Sequence, residues 1–165
     1  LSGRLAPTSG PIPRGWRRAW IRALGGGFDG ELTGYDNVRF IAKLYGMPIK
    51  ETYEFVDDFT EIGKQLQIPM RFYSSGMRMR VAFALSLAID FECFLIDEVL
   101  LVGDLKFQEK CKRAIFESKA DRSMILAIHG PEVVREYCTS ALVLKNGRGR
   151  VFEDVNLACD IYSAL

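Results

Sequence analysis

Phe91-Glu92-Cys93-Phe94-Leu95-Ile96-Asp97-Glu98 is the stretch that decides how this chain folds. It is an apolar run too short for a free-standing helix, and it ends abruptly in two adjacent carboxylates. A run of this length bounded by polar residues reads as a strand buried on both faces, the kind found in parallel sheets. Ligands of such sheets sit beyond the carboxyl ends of the strands, where Asp97 and Glu98 fall. Two readings stand here. Either one carboxylate holds a cation while the other handles a proton, or the strand end simply meets solvent.

Outward from this strand, the C-terminal side repeats its pattern. A helix is expected from Leu105 to about Ser118, then a second apolar strand, Met124-Ile125-Leu126-Ala127-Ile128, ending at His129. A helix from Pro131 to Tyr137 leads to a third strand, Ala141-Leu142-Val143-Leu144. Lys145-Asn146-Gly147 then turns into Arg150-Val151-Phe152, and a last helix covers about Val155 to Ala164. Strand, helix, strand, helix, strand is the signature of an α/β fold with a mainly parallel sheet flanked by helices.

On the N-terminal side, Tyr73-Ser74-Ser75-Gly76 precedes a long helix from Met77 to about Ile89, with Ser74 or Ser75 as its N-cap. Its body is apolar almost all round and should be buried on several sides. Earlier, Thr33 and Asp36 form a capping-box-like pair opening a helix that Gly46-Met47-Pro48 stops. A second helix is expected from Lys50 to about Thr60, and a short third from Glu61 to Gln65. This helical section is inserted ahead of the acidic strand. Residues 1 to 30 are punctuated by prolines and glycines, so loops and short extended pieces are expected there. In that region Arg14, Arg17, Arg18 and Arg22 alternate with Trp16 and Trp20, a pattern that can bind nucleic acid. With 22 basic against 21 acidic residues and a net charge of +1, no basic surface stands behind it. We read an exposed loop and no nucleic-acid partner.

The 165 residues are one domain's worth, and 48% hydrophobic content is ordinary for a globular protein. No run approaches the roughly 20 apolar residues of a membrane span, so membrane contact is expected to be peripheral. The four cysteines lack CxxC spacing and there is a single histidine, which argues against structural zinc and for reduced thiols in a cytoplasmic protein. With no initiator methionine, the chain reads as a fragment.

Two buried strands ending in Asp97-Glu98 and in His129 would converge on one site if they lay side by side. An Asp at a strand end commonly holds Mg²⁺ through water. Glu98 could orient or deprotonate an attacking water, and His129 could hydrogen-bond a phosphoryl oxygen. That is equipment for phosphoryl transfer; a plain core or surface histidine is the alternative. Ser74-Ser75-Gly76 opens a helix whose N–H groups favour an anion, or it is only an N-cap.

Order and spacing bring these pieces together. Tyr73-Ser74-Ser75-Gly76-Met77-Arg78-Met79-Arg80-Val81-Ala82 resembles the signature motif of the ATP-binding cassette (ABC) family. Phe94-Leu95-Ile96-Asp97-Glu98 follows where that family has Walker B, Leu101-Val102-Gly103-Asp104 where it has the D-loop, and His129 where it has the switch histidine. Gly26-Gly27-Phe28, Leu32 to Phe40, Tyr73 to Met77 and Asp97-Glu98-Val99 resemble the ATPases that export capsular polysaccharide, O-antigen and teichoic acid. The capsule exporters are the most similar.

The resemblance implies a partial P-loop NTPase fold with an inserted helical subdomain. Residues 1–32 would be the post-Walker A and Q-loop region, 33–90 the helical subdomain and signature helix, and 91–165 the Walker B, D-loop, H-loop and C-terminal part. It implies ATP and Mg²⁺ as cofactors: Asp97 for the metal, Glu98 as catalytic base, His129 as γ-phosphate sensor. Ser74 and Gly76 would contact the γ-phosphate held by the opposite subunit of a homodimer, with Ser75 between them in the same nucleotide-binding motif, and Asp104 would link the two sites. The dimer would drive a membrane-embedded permease from the cytoplasmic face of a bacterial inner membrane.

There are departures. No GxxxxGK[ST] occurs in the sequence. Leu1 to Gly10 resembles the segment just after the Walker A helix, so the P-loop is expected upstream of Leu1. Without it, nothing in this chain cradles the β- and γ-phosphates. Asp29 stands where the family usually has the Q-loop glutamine. An ionised carboxylate can reach Mg²⁺ or its water but cannot donate a hydrogen bond.

Overall fold

The computed structural model describes residues 8–10, the backbone of 18–20, and residues 27–97 and 104–165. They fall into two compact units, residues 1–125 and 126–165.

In the first unit, strand β2 (Cys93–Asp97) is buried from Cys93 to Ile96 and half-buried at Asp97, as the apolar run requires. Strand β1 (Arg18–Trp20) lies parallel to it, Arg18 opposite Cys93 and Trp20 opposite Leu95. Residues 18–20 therefore belong to the sheet, not to the exposed loop expected for the Arg/Trp run; the flanking arginines and Trp16 lie outside the described residues. Strand β3 (Ser123–Ala127) takes the other side of β2, giving the order β1-β2-β3, and the Ser123 N–H donates to the Glu92 carbonyl at 3.2 Å.

The helical section begins with α1 (Gly34–Leu44). Thr33 Oγ accepts the Asp36 N–H at 3.0 Å and donates to the Asp36 carboxylate at 2.6 Å, which is the local chemistry expected of this cap. Helix α2 (Ile49–Thr60) closes at Glu61, whose left-handed φ of 56° turns the chain. That turn displaces the short helix expected from Glu61: a 3₁₀ turn follows over Gly63–Gln67 instead, and another over Met70–Phe72.

Helix α3 (Ser75–Ala88) is buried without interruption from Val81 to Leu87. The Phe83 ring stacks on Phe59 of α2 at 5.9 Å between centroids, and Phe59 meets Phe107 edge-on at 5.7 Å. Phe107 belongs to α4 (Leu105–Phe116), which buries Phe107, Cys111 and Ile115 on one face. This aromatic cluster joins α2, α3 and α4 into one core.

The second unit holds α5 (Pro131–Tyr137), β4 (Ala141–Lys145), β5 (Arg148–Phe152) and α6 (Val155–Ser163). β4 was expected to extend the parallel sheet. It instead pairs antiparallel with β5, Ala141 opposite Phe152 and Lys145 opposite Arg148, in a separate two-stranded sheet. The reason is local. Asn146 and Gly147 take φ values of 51° and 75°, the two positive values of a tight hairpin turn, and such a turn returns the chain alongside itself. Arg135 ties α5 to α6 through Asn156 Oδ1 at 2.8 Å and Asp160 at 2.6 Å.

Candidate functional site

The burial of β2 places the Asp97 carboxylate at the point where an apolar strand emerges, half-buried at its carboxyl end. Glu98, and Leu101 to Gly103 of the D-loop-like segment, lie outside the described residues.

Ser74 is the N-cap of α3, its Oγ accepting the Met77 N–H at 3.1 Å. A hydroxyl that accepts from the backbone keeps its own O–H to donate. Ser74 and Ser75 are exposed, and a Cβ built on Gly76 would meet only Ser74 Oγ, at an ordinary 3.8 Å. The segment thus presents a hydroxyl and helix-start N–H groups on an unobstructed turn, an arrangement suited to an anion. Tyr73, the residue before it in sequence, is buried.

Asp29 is exposed, and its Oδ1 accepts the Glu31 N–H at 2.9 Å. Its backbone is held by Asn37, which is 2% exposed. The Asn37 Oδ1 accepts the Asp29 N–H at 2.9 Å, while its amide donates to the carbonyls of Asp29 at 3.0 Å and Thr33 at 2.9 Å. One buried side chain thereby pairs both main-chain groups of Asp29. The loop is also joined to the segment that leads into Ser74. The Arg71 N–H donates to the Gly30 carbonyl and the Met70 N–H to that of Leu32, both at 2.9 Å, and Arg71 pairs with Glu31.

Asp104 caps α4. Its Oδ1 accepts the Phe107 N–H at 2.9 Å and its Oδ2 accepts from Arg80 at 3.0 Å. The cap N–H chiefly, and the nearby guanidinium in addition, hold its carboxyl below the usual aspartate range. Arg80 also donates to the Thr60 carbonyl at 3.0 Å and lies over the Phe107 ring at 4.2 Å. One guanidinium therefore joins the signature-like helix, the end of α2 and the start of α4. Close by, Glu61 is held below its ordinary range, first by the hydrogen bond from Lys110.

His129 is exposed just beyond β3, its Nδ1 3.1 Å from the Tyr162 hydroxyl. Asp97 falls in the first unit and His129 in the second. Sequence reading missed Asn37, Arg80 and Tyr162. Asn37 had a signal in hindsight, being a polar residue on the apolar face of α1. Tyr162, 33 residues from its partner, had none.

No protein-family model matches the chain. Its fold is shared by solved structures of one class. An ATP-binding subunit of an ABC transporter superposes with a TM-score of 0.67 at 21% identity, over 82% of this chain and 59% of that one. The dimeric post-hydrolysis state of the ATP-binding cassette MJ0796 bound to ADP and Pi gives 0.62 at 18% identity, over 81% and 62%. At these identities the likeness shows the fold alone: that of an ABC ATPase.

Sequence relatives narrow the class. The capsule polysaccharide export ATP-binding protein CtrD of Neisseria meningitidis serogroup B is 46% identical over 165 residues, all of this chain and 76% of that protein. The ATP-binding protein BexA of Haemophilus influenzae is 47% identical over 99% of this chain and 75% of its own length. The O-antigen export protein RfbB of Klebsiella pneumoniae is 34% identical over 98% and 68%. The chain belongs to the ATP-binding proteins of the ABC systems that export capsule polysaccharide, O-antigen and teichoic acids.

Proposed function

We propose that this chain supplies the signature and Walker B half of an ATP-hydrolysing site in an exporter of capsular or related surface polysaccharide. Membership of the family gives the frame, and the observation that carries the reading is Ser74: exposed, capping α3, with its O–H left to donate. Ser74 would donate to a terminal phosphate oxygen held by a facing subunit, Ser75 and Gly76 would offer the adjoining N–H groups, and Gly76 leaves room for the approach. Asp104 shapes the start of α4 behind this surface.

Among the described residues no three His, Cys, Asp or Glu side chains gather into a metal cage. A Mg²⁺ held by one carboxylate, waters and nucleotide phosphates needs no such cage, so Asp97 at the end of β2 fits that ion. Bound there, Mg²⁺ would neutralise charge on the β- and γ-phosphates. Glu98 orients and deprotonates the attacking water. His129, its ring steadied by Tyr162, senses the γ-phosphate. Asp29 would offer a carboxylate to the metal's water shell, to which it could not donate when ionised.

The partners are a second ATPase subunit and an integral-membrane permease, with the chain peripheral to the cytoplasmic face of a bacterial inner membrane. No helix among the described residues is long and apolar enough to cross a membrane.

Co-elution of the purified chain with CtrD, with and without ATP, tests the phosphate-facing role. ATP should increase co-elution of the wild-type chain, and Ser74→Ala should remove the increase; an increase that survives Ser74→Ala contradicts the role. Exposed Phe40, Leu44 and Phe72 in the helical section favour a second reading, a non-catalytic remnant that docks there on a permease or partner ATPase. Co-purification with a permease irrespective of nucleotide would support it.

A further inference from the structure

Gly34 is the first residue of α1 and has none of the positive φ that usually calls for glycine. Alanine would be the better helix former there by about 1 kcal/mol. What excludes it is space. A Cβ on Gly34 would overlap the Tyr73 hydroxyl outright and stand 3.0 Å from Leu66 Cδ2 and 3.1 Å from the Leu66 carbonyl oxygen.

Tyr73 is 4% exposed, its hydroxyl donates to the Gln65 carbonyl at 2.6 Å, and the same hydroxyl fills the space beside Gly34 where a Cβ would stand. Burial pushes the phenol up to about 12, which keeps it a neutral donor. The ring is thus locked onto the main chain of α1 on one side and of the 3₁₀ turn on the other, one residue before Ser74.

The surrounding backbone extends this lock. Residues 30–34 and 68–71 are bonded through Arg71 N–H to Gly30 O, Met70 N–H to Leu32 O and, at 3.4 Å, Gly34 N–H to Ile68 O. Asn37 pins Asp29 at the far end. From Asp29 to Ser74 there is an unbroken series of buried or main-chain contacts.

We propose that Tyr73 is a positioning residue: seated on Gly34, it sets where Ser74 stands relative to the Asp29 loop. A shift of that loop is then carried to the signature-like turn through the phenol. The functional weight of this rests on the phosphate-facing reading of Ser74; the lock itself does not.

Amide hydrogen exchange on the intact chain, without nucleotide, separates the two. The readout is the Met77 N–H, whose bond to Ser74 Oγ reports the cap. Gly34→Ala, 43 residues away in sequence, should speed exchange at Met77 by about tenfold, a sub-global opening of this turn. Adding Tyr73→Phe, which removes the hydroxyl the new methyl strikes, should return it to within about twofold of wild type. Exchange at Met77 unmoved by Gly34→Ala, or as fast in the double variant as in the single one, overturns the proposal. If Gly34→Ala does not fold, Tyr73→Leu, which removes the ring seated on Gly34, should speed exchange at both Met77 and Arg71, and a change confined to α1 would overturn it. Failure of Ser74→Ala to affect ATP-dependent co-elution would count against the phosphate reading and leave this result standing.

Discussion

Arg80 and Asp104 meet across 3.0 Å, and that contact joins the helix capped by Ser74 to the first turn of the helix after the acidic strand. The family resemblance assigns Asp104 a place between two nucleotide sites. Both of its carboxylate oxygens are engaged within its own chain, one by the α4 cap and one by Arg80. Its first task is therefore to fix the start of α4.

That task depends on pH. Asp104 sits below its ordinary value of 3.8, first because of the Phe107 N–H and then because of the Arg80 charge. A group whose folded value is depressed contributes stability above its unfolded value and loses it as pH falls through the folded one. Thermal melts should show stability declining below about pH 4. Asp104→Asn keeps a capping oxygen but not the charge, and should flatten that decline. An identical acid profile for the variant would rule out this contribution.

Asn37 is the residue on which the Asp29 loop depends. Replacing it with alanine leaves the part-buried Asp29 N–H and carbonyl without their partner, while the Thr33 carbonyl keeps the main-chain N–H of residue 37, so the cost should fall toward the lower end of the about 1–3 kcal/mol of a buried group left unsatisfied. Asn37→Asp should also destabilise, because a carboxylate accepts where two donors are needed. Urea denaturation measures both; a loss for alanine with none for aspartate would mean that only volume matters there.

The aromatic cluster is the mechanical centre of the first unit. Phe83 is fully buried, and Phe83→Ala should cost about 3–5 kcal/mol in chemical denaturation. Phe72→Ala, at an exposed position, should cost far less.

For His129 the expected dependence is on Tyr162. Tyr162→Phe removes the hydroxyl 3.1 Å from Nδ1 and should change the Nδ1 chemical shift of the ring in nitrogen-resolved NMR, with the fold otherwise unaltered. An unchanged Nδ1 signal would show that Tyr162 does not hold the ring.

What the sequence discloses here is local chemistry. The Thr33 and Ser74 caps, the apolar β2 and the all-round apolar α3 can be read because each rests on neighbouring residues: partners three apart in the caps and unbroken apolar runs in β2 and α3. The hairpin was half legible: Asn146-Gly147 announced a turn, yet the apolar run of β4 looked like another parallel strand, and only backbone geometry decided its neighbour. Glu61 in the left-handed region carried no composition signal, and it moved the following turn. Arg80–Asp104 and His129–Tyr162 span 24 and 33 residues, and residue order alone does not say that such groups meet. The order of motifs from Tyr73 to His129 reads as a family before any contact is known, whereas the packing that positions each motif does not.

The most direct measurement is ATP turnover by the purified chain alone. The sequence carries Asp97, Glu98, Ser74 and His129 but no GxxxxGK[ST] to cradle the phosphates, so turnover should be little or none. Measurable turnover that Glu98→Gln abolishes would show a complete site within these 165 residues and contradict the half-site account.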